Sequence, residues 1–374
     1  MKNVRIKNKP RMIFLVAGAR PNFMKVAPIL TEMKRVPDRF HPVFIHTGQH
    51  YDDEMSKFML QDLKLPKPDV YLGVGSESHA VQTARIMMEF EKVMIKEDPD
   101  LVIVVGDVNS TLACALVASK MCIPMAHVEA GLRSNDRTMP EEINRILTDQ
   151  ISDYLFTTEP VADENLKREG IDEEKIHFVG NVMIDSLMKS LSEIEKSTVL
   201  NKMDLAPRDY ALLTLHRPSN VDRKEMLEKI LKVLSRIQKE IRIVFPAHPR
   251  TQKRMREFGF SHRDSSDNRL VIADPLGYCD FLSLERNARF VLTDSGGVQE
   301  ETTFFQVPCL TLRENTEHLI TVSRGSNTIV GTDPDRIVEE SLNILRGNGK
   351  KGEIPRLWDG QTARRIVDLL MMEH

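Results

Sequence analysis

The strongest constraint on the fold is a pattern that runs twice along the chain: short, continuous apolar runs rich in β-branched residues, alternating with longer amphipathic stretches. From Met12 to about Phe178 the order is MIFLVAG, PNFMKVAPILTEMKR, HPVFIHTG, AVQTARIMMEFEKVMI, LVIVVG, STLACALVASK, MAHVE, EINRILTDQI and YLFTT. Strands apolar on both faces and separated by helices of this length specify a parallel sheet covered on both sides. The pattern restarts after a break near Pro207, where ALLTLH, IRIVFPAH, RLVIAD, RFVLTD and PCLTL alternate with helices such as MLEKILKVLSRIQKEI. At 374 residues the chain exceeds the size at which one core keeps growing. The expected fold is α/β, two Rossmann-like doubly wound domains facing a cleft, with ligands at the carboxyl ends of the strands. The last amphipathic stretch, GQTARRIVDLLMM, either finishes the second domain or crosses back over the first.

Charge narrows the partners. With 52 basic and 55 acidic residues the net charge is -3, which gives no electrostatic case for nucleic acid or an anionic membrane. Cys114, Cys122, Cys279 and Cys309 form no CxxC pair and no Cys/His metal spacing, and are expected to be buried thiols of a cytoplasmic protein. Basic MKNVRIKNKPR before apolar MIFLVAGA imitates a signal peptide, but the apolar run is short and Arg20 follows at once. Nothing approaches the roughly 18 apolar residues of a membrane span.

Three carboxylates stand in loops next to these runs: Asp107 in VIVVGDVNST, Glu129 in MAHVEAGLR and Glu141 in MPEEINR. Each has a structural alternative. Asp107 is placed to cap a helix starting near Ser110, and Glu141 with Glu142 suits the first turn of a helix behind Pro140. Glu129, at the end of an apolar strand, points toward the ligand-binding edge of a sheet. In the second half His216 ends the run ALLTLH, with His50 and His248 in comparable positions. FVLTDSGGVQEE reads as a strand ending at Thr293, Asp294 and Ser295 as candidate N-caps, two glycines, and a helix from Val298 to Phe305. Free amides at that helix start make an anion site. There is no P-loop lysine and no GxGxxG, so neither an NTPase nor a standard dinucleotide site is supported. A second glycine-containing turn, GARPNFMK, adds the charges of Arg20 and Lys25. Acids that exchange protons, together with a backbone suited to phosphate, suggest chemistry on a phosphorylated or nucleotide-linked substrate.

Taken in order, GARPNFMKVAP, TGQHYDDEM, GDVNSTLA, HVEAGLRS, MPEEINR, VGNVMID, TLHRPSNVD, AHPRT, TDSGGVQEE and RENTE resemble the non-hydrolysing UDP-N-acetylglucosamine 2-epimerase family over essentially the whole chain. The resemblance implies a glycosyltransferase-B-type fold and usually a homodimer. Residues 1–180, completed by a C-terminal helix at 360–374, would carry the carboxylates, and residues 181–359 would bind UDP. It implies interconversion of UDP-N-acetylglucosamine and UDP-N-acetylmannosamine, without metal or nicotinamide cofactor, for cell-surface polysaccharide precursors. The C2 hydrogen of the sugar has no neighbouring carbonyl carbon to acidify it, so UDP must leave. Elimination to 2-acetamidoglucal and re-addition requires acid/base groups on both faces of C2 and donors for the departing diphosphate.

By the same resemblance Asp107, Glu129 and Glu141 match the family's catalytic acids and His216 its histidine near the diphosphate. Arg145 matches a functional arginine, and Ser295, Gly296 and Gly297 match diphosphate contacts. Glu301 matches the carboxylate that holds ribose hydroxyls, Phe281 a backbone contact to uracil, and Arg20 and Lys25 basic residues on the nucleotide side. The chain departs from the common pattern at Asn22, where many members have Glu, and at His318 and Leu319 in RENTEHLIT. Gln49-His50-Tyr51-Asp52 replaces the QHRxM of substrate-activated members. Alternatives within reach of the same residues are a 2-epimerase of a UDP-diacetamido-uronic acid, a hydrolysing relative, a glycosyltransferase of this fold and a UDP-sugar-binding regulator.

Overall fold

The computed structural model describes residues 9–49, 65–260 and 269–372, apart from the side chain of Arg20. The chain falls into two compact units, one formed by residues up to Lys189 with those from Arg356 onward, the other by Ser190–Pro355. The division lies inside the helix Val182–Lys196, whose first turns pack in the first unit.

The first unit is built on seven parallel strands: β1 (Arg11–Ala17), β2 (Phe40–His46), β3 (Val70–Tyr71), β4 (Leu101–Val105), β5 (Met125–Ala130), β6 (Tyr154–Thr157) and β7 (Ile176–Phe178). Their spatial order is β3-β2-β1-β4-β5-β6-β7. β4 and β5 are buried along their whole length, as strands covered on both faces must be. One layer of the core joins Phe14, Val16, Val102 and Val104 to Ile86, Phe90 and Met94 of the helix His79–Glu97.

The second unit repeats the plan with β8 (Tyr210–Thr214), β9 (Arg242–Pro246), β10 (Leu270–Ala273), β11 (Phe290–Thr293), β12 (Cys309–Thr311) and β13 (Asn327–Ile329), all parallel, in the order β10-β9-β8-β11-β12-β13. Both units therefore have the doubly wound Rossmann order, and they are the pair of units that a glycosyltransferase-B-type chain contains. The order reverses between β1 and β4 and again between β8 and β11. In a parallel sheet the loops that leave such a pair of strands diverge to opposite faces, which opens a crevice at the strands' carboxyl ends. Asp107 lies in the loop that follows β4 and Asn22 in the first turn of the helix Arg20–Met33 that follows β1, while His216 and Ser295 lie in the loops that follow β8 and β11.

The helix Thr362–Met372 belongs to the first unit, where it packs on the helix Arg20–Met33 and buries Ala363, Ile366, Val367 and Leu370. The buried Asp185 carboxylate anchors its start by accepting from the amides of Thr362 (3.1 Å) and Ala363 (2.7 Å). No helix among the described residues is long and apolar enough to cross a membrane. Cys114 and Cys309 are buried as expected, but Cys122 is exposed and Cys279 half-buried. Cys122 sits in a left-handed turn just beyond the helix Asn109–Lys120, a position that turns its side chain away from the core.

Candidate active site

Gly106 ends β4 with a φ of +65°, and the turn it makes presents Asp107. The next helix, Asn109–Lys120, has Val108 as its N-cap, so Asp107 does not cap it. Its carboxylate instead pairs with Arg145 from the helix Pro140–Gln150. Arg145 is only 2% exposed and its second partner is Glu142, at 2.7 Å. Glu142 also accepts from the amide (2.9 Å) and hydroxyl (3.0 Å) of Ser134 and from the amide of Asn135 (2.9 Å). Burial disfavours the charge of Glu142, but the Ser134 amide and Arg145 outweigh it and hold the carboxyl below its ordinary range. Of two adjacent glutamates at the helix start, Glu142 is thus the internal anchor, while Glu141 keeps a partly exposed position in the first turn.

Glu129 is held differently. Its φ is +74°, in the left-handed region, where β5 is bulged against β6 between Val128 and Ala130. A glutamate has no local reason to adopt this conformation, and such strain persists only where the surroundings impose it. Its carboxylate pairs with Lys25 of the helix Arg20–Met33, both side chains being 8% exposed. Lys25 passes directly over Gly106, where a Cβ would stand 3.0 Å from its Nζ. Asn22 joins the same region: its Oδ1 accepts from the amides of Gly18 and Ala19 (3.0 Å each) and its Nδ2 donates to the Val105 carbonyl (3.0 Å). The departure at position 22 therefore ties the loop after β1 to the end of β4.

Beneath both acids lies a buried ionic cluster that the sequence reading missed. His127 on β5 is fully buried, with Nδ1 2.6 Å from Asp149 and Nε2 2.8 Å from the carbonyl of Gly106. Asp149 also accepts from the Gly131 amide (3.1 Å) and from Arg133 (2.7 Å), which reaches on to Glu169 (2.6 Å). Burial opposes ionisation of Asp149, yet His127 and Arg133 prevail and hold its carboxyl low. The available signal was periodic. His127 stands two positions before Glu129 on one strand, and Asp149 two helical turns beyond Glu141. His50 lies outside the described residues.

In the second unit His216 follows β8, with Nδ1 2.9 Å from Asp294 Oδ1. The backbone amides of His216 (3.1 Å) and Arg217 (3.0 Å) and Nδ2 of Asn220 (3.1 Å) also donate to Asp294, which is completely buried. Burial disfavours its charge, but His216, the Arg217 amide and Asn220 keep the carboxyl below its usual range. Asp294 is therefore the orienting partner of His216 rather than an N-cap. With Nδ1 facing Asp294, Nε2 of this half-exposed imidazole is the nitrogen left for a ligand. His248 stands nearby, 6.3 Å between ring centroids.

The helix begins at Gly296, two residues earlier than expected, because both glycines take helical conformation behind Ser295 as N-cap. Ser295 makes no side-chain cap bond. A Cβ on Gly296 would stand 2.8 Å from His318 Nε2 and 2.9 Å from Glu317 Oε1, so glycine lets that loop close onto the turn. Glu317 is buried; burial opposes its charge, but His318, Arg313 and Arg217 hold its carboxyl well below the ordinary range. His318, at a departure from the family pattern, also faces Glu300 at 3.2 Å. Glu301 lies one turn into the helix and is 6% exposed. Phe281 on the helix Tyr278–Asn287 packs against the core layer of Tyr210, Leu212 and Val291. Among the described residues no group of three or more His, Cys, Asp or Glu is placed to hold a metal.

The strain at Glu129 is measurable. Glu129→Gly and Glu129→Ala both remove the partner of Lys25, but only glycine accepts the left-handed backbone without a steric penalty. Glu129→Gly should be the more stable variant by about 1 kcal/mol, the reverse of the usual order in a strand, as read from midpoints of chemical denaturation. Equal stability would mean that the conformation is not imposed.

Comparison with known proteins gives concordant results. Residues 32–371 match the family model described as UDP-N-acetylglucosamine 2-epimerase. The UDP-N-acetylglucosamine 2-epimerase of Methanocaldococcus jannaschii is 46% identical over 354 residues, covering 91% of this chain and 96% of that one. The UDP-2,3-diacetamido-2,3-dideoxy-D-glucuronate 2-epimerase of Pseudomonas aeruginosa is 41% identical over 362 residues, covering 96% and 99%. A crystal structure of the Methanocaldococcus jannaschii enzyme in complex with UDP-GlcNAc and UDP superposes with a TM-score of 0.88 at 44% identity, covering 96% of this chain and 99% of that one. A family match that spans nine-tenths of the sequence, with a relative 46% identical over nearly its whole length, leaves one assignment: the chain belongs to the UDP-N-acetylglucosamine 2-epimerase family.

Proposed function

We propose that this chain is a non-hydrolysing UDP-N-acetylglucosamine 2-epimerase, an isomerase that interconverts UDP-N-acetylglucosamine and UDP-N-acetylmannosamine by eliminating and re-adding UDP. The observation that carries the reading is the placement of two acids, Asp107 and Glu129, at the ends of adjacent strands beside the point where the sheet order reverses, each set against its own cation. Asp107, Glu129 and Glu141 are the acid/base groups at C2. Arg145 and Lys25 hold two of these carboxylates in place, and Lys25 and Arg20 are the basic residues assigned to the nucleotide side.

The second unit supplies the UDP site. Amides of Ser295, Gly296 and Gly297 take the diphosphate at a helix start, where the dipole favours negative charge. His216, oriented by Asp294, offers Nε2 to the same group as charge builds on the leaving oxygen. Glu301 accepts from the ribose hydroxyls and the backbone at Phe281 meets uracil. The product serves cell-surface polysaccharide synthesis in the cytoplasm.

A second reading, 2-epimerisation of a UDP-diacetamido-uronic acid, is supported by the 41% identity to the Pseudomonas aeruginosa enzyme. Chromatography of reactions with each UDP-sugar decides between them: this account expects UDP-N-acetylmannosamine from UDP-N-acetylglucosamine, with only traces of free sugar. Asp107→Asn should lower kcat by about two to four orders of magnitude, the range for loss of a general acid or base, and leave KM within a few-fold. A variant with normal turnover would remove Asp107 from the mechanism.

Self-association has a candidate face. Val81, Met88 and Ile95 recur every seventh residue on the helix His79–Glu97 and are 42%, 61% and 69% exposed. Such a seam suits the same helix of a second copy. Sedimentation should show a dimer that Met88→Glu converts to monomer; a wild-type monomer would defeat the proposal.

A further inference from the structure

Glu285 is a buried acid for which the epimerase reaction has no use. It lies on the helix Tyr278–Asn287 with 0% exposure, and no donor reaches either of its carboxyl oxygens. Buried polar groups are nearly always partnered, so an orphaned carboxyl needs a physical account. Two groups face it. From the helix Gly296–Phe305 comes the carboxyl of Glu301, within hydrogen-bonding reach, and from β12 the thiol of Cys309. The thiol is neutral, since burial above all, with Glu285 adding to it, pushes it up to about 12. No cation acts on Glu285 among the described residues, and Glu300, the neighbour of Glu301, is turned to His318.

Two carboxyls in contact cannot both be ionised in a dry site, because the second charge meets both desolvation and the first charge. One proton must lie between them. Glu285 is the deeper of the two and has no other donor, whereas Glu301 retains 6% exposure. Burial raises the pKa of Glu285 first, and the adjoining Glu301 charge raises it further.

We propose that Glu285 is a positioning residue: as a neutral acid it donates its hydrogen to Glu301 and fixes that carboxylate, ionised, in the orientation that accepts the vicinal hydroxyls of a ribose. This rests on the reading of Glu301 as the ribose-binding group. A carboxylate held by one strong donor on its inner side presents its remaining lone pairs outward as acceptors only, which suits a diol that can only donate to it. Without the inner donor Glu301 would itself take up a proton, lose half of its acceptor capacity, or swing away.

The test is calorimetric binding of UDP and 2′,3′-dideoxy-UDP to the full-length protein, with infrared spectra of the buried acid. The wild type should prefer UDP. Glu285→Leu should lose about tenfold of that preference, the size of one hydrogen bond to a charged group. Glu285→Gln, whose amide still donates to Glu301, should keep it. In the infrared difference between wild type and Glu285→Gln at neutral pH, the wild type should show the carbonyl band of a protonated, buried carboxyl, and the variant should lack it. A folded Glu285→Leu protein with undiminished preference overturns the proposal, and so does the absence of that band, which also decides the case if Glu285→Leu fails to fold. Glu301→Ala separates the two readings. If it abolishes the preference while Glu285→Leu does not, only the pairing is wrong; if it leaves the preference intact, the ribose assignment of Glu301 falls and the pairing has no target.

Discussion

The acid-bearing loops of the first unit depend on one fully buried carboxylate, Asp149. It receives His127, Arg133 and the amide of Gly131. His127, through its other nitrogen, holds the carbonyl of Gly106. Gly106 precedes Asp107, and Gly131 follows the bulge that carries Glu129, so a single buried charge holds the backbone just before one proposed acid and just after the other. Taking such a charge out of water costs several kcal/mol, and ion pairing roughly offsets this rather than adding stability. What the cluster supplies is registry. The second unit uses the same device: Asp294, also buried, gathers the amides at the start of the loop after β8 and sets the imidazole of His216.

Strain and charge compensation meet at Glu129. A left-handed glutamate at a bulge is turned out of the pleat of β5, and Lys25 receives its carboxylate over a glycine that leaves room for the ammonium group. Asp107 is set by Arg145, which is itself set by Glu142 and through it by the 134–135 turn. Each of these two acids is therefore positioned by a cation from another element, Lys25 on the helix Arg20–Met33 and Arg145 on the helix Pro140–Gln150.

The sequence made the fold class legible because strands buried on both faces leave continuous apolar runs, and nearly every long run in the chain became a strand. The short edge strands β3, β7 and β13 were not recognised; they are only partly buried and their composition is mixed. Strand order is set by tertiary packing and leaves no local trace. Among the candidate residues, Asp107 and Glu129 in the first unit and His216 in the second were visible in the sequence as polar residues at strand ends. The division of labour between Glu141 and Glu142 was not, since adjacent residues on a helix point about 100° apart and only the packed structure says which one faces inward. Asp149 and Glu285 read as ordinary helical acids, because burial of a charge is a property of the whole fold. Asn22 and His318 looked like losses from a family pattern, and the structure gives each a set of partners.

The central claim is that acids at the ends of β4 and β5 exchange a proton at C2 with solvent while UDP is detached. Turnover of UDP-N-acetylglucosamine in deuterated water, followed by NMR, tests it most directly. The account predicts deuterium at C2 of the UDP-N-acetylmannosamine formed, with some UDP and 2-acetamidoglucal released during the reaction. Epimerised product that keeps its original C2 hydrogen would contradict it.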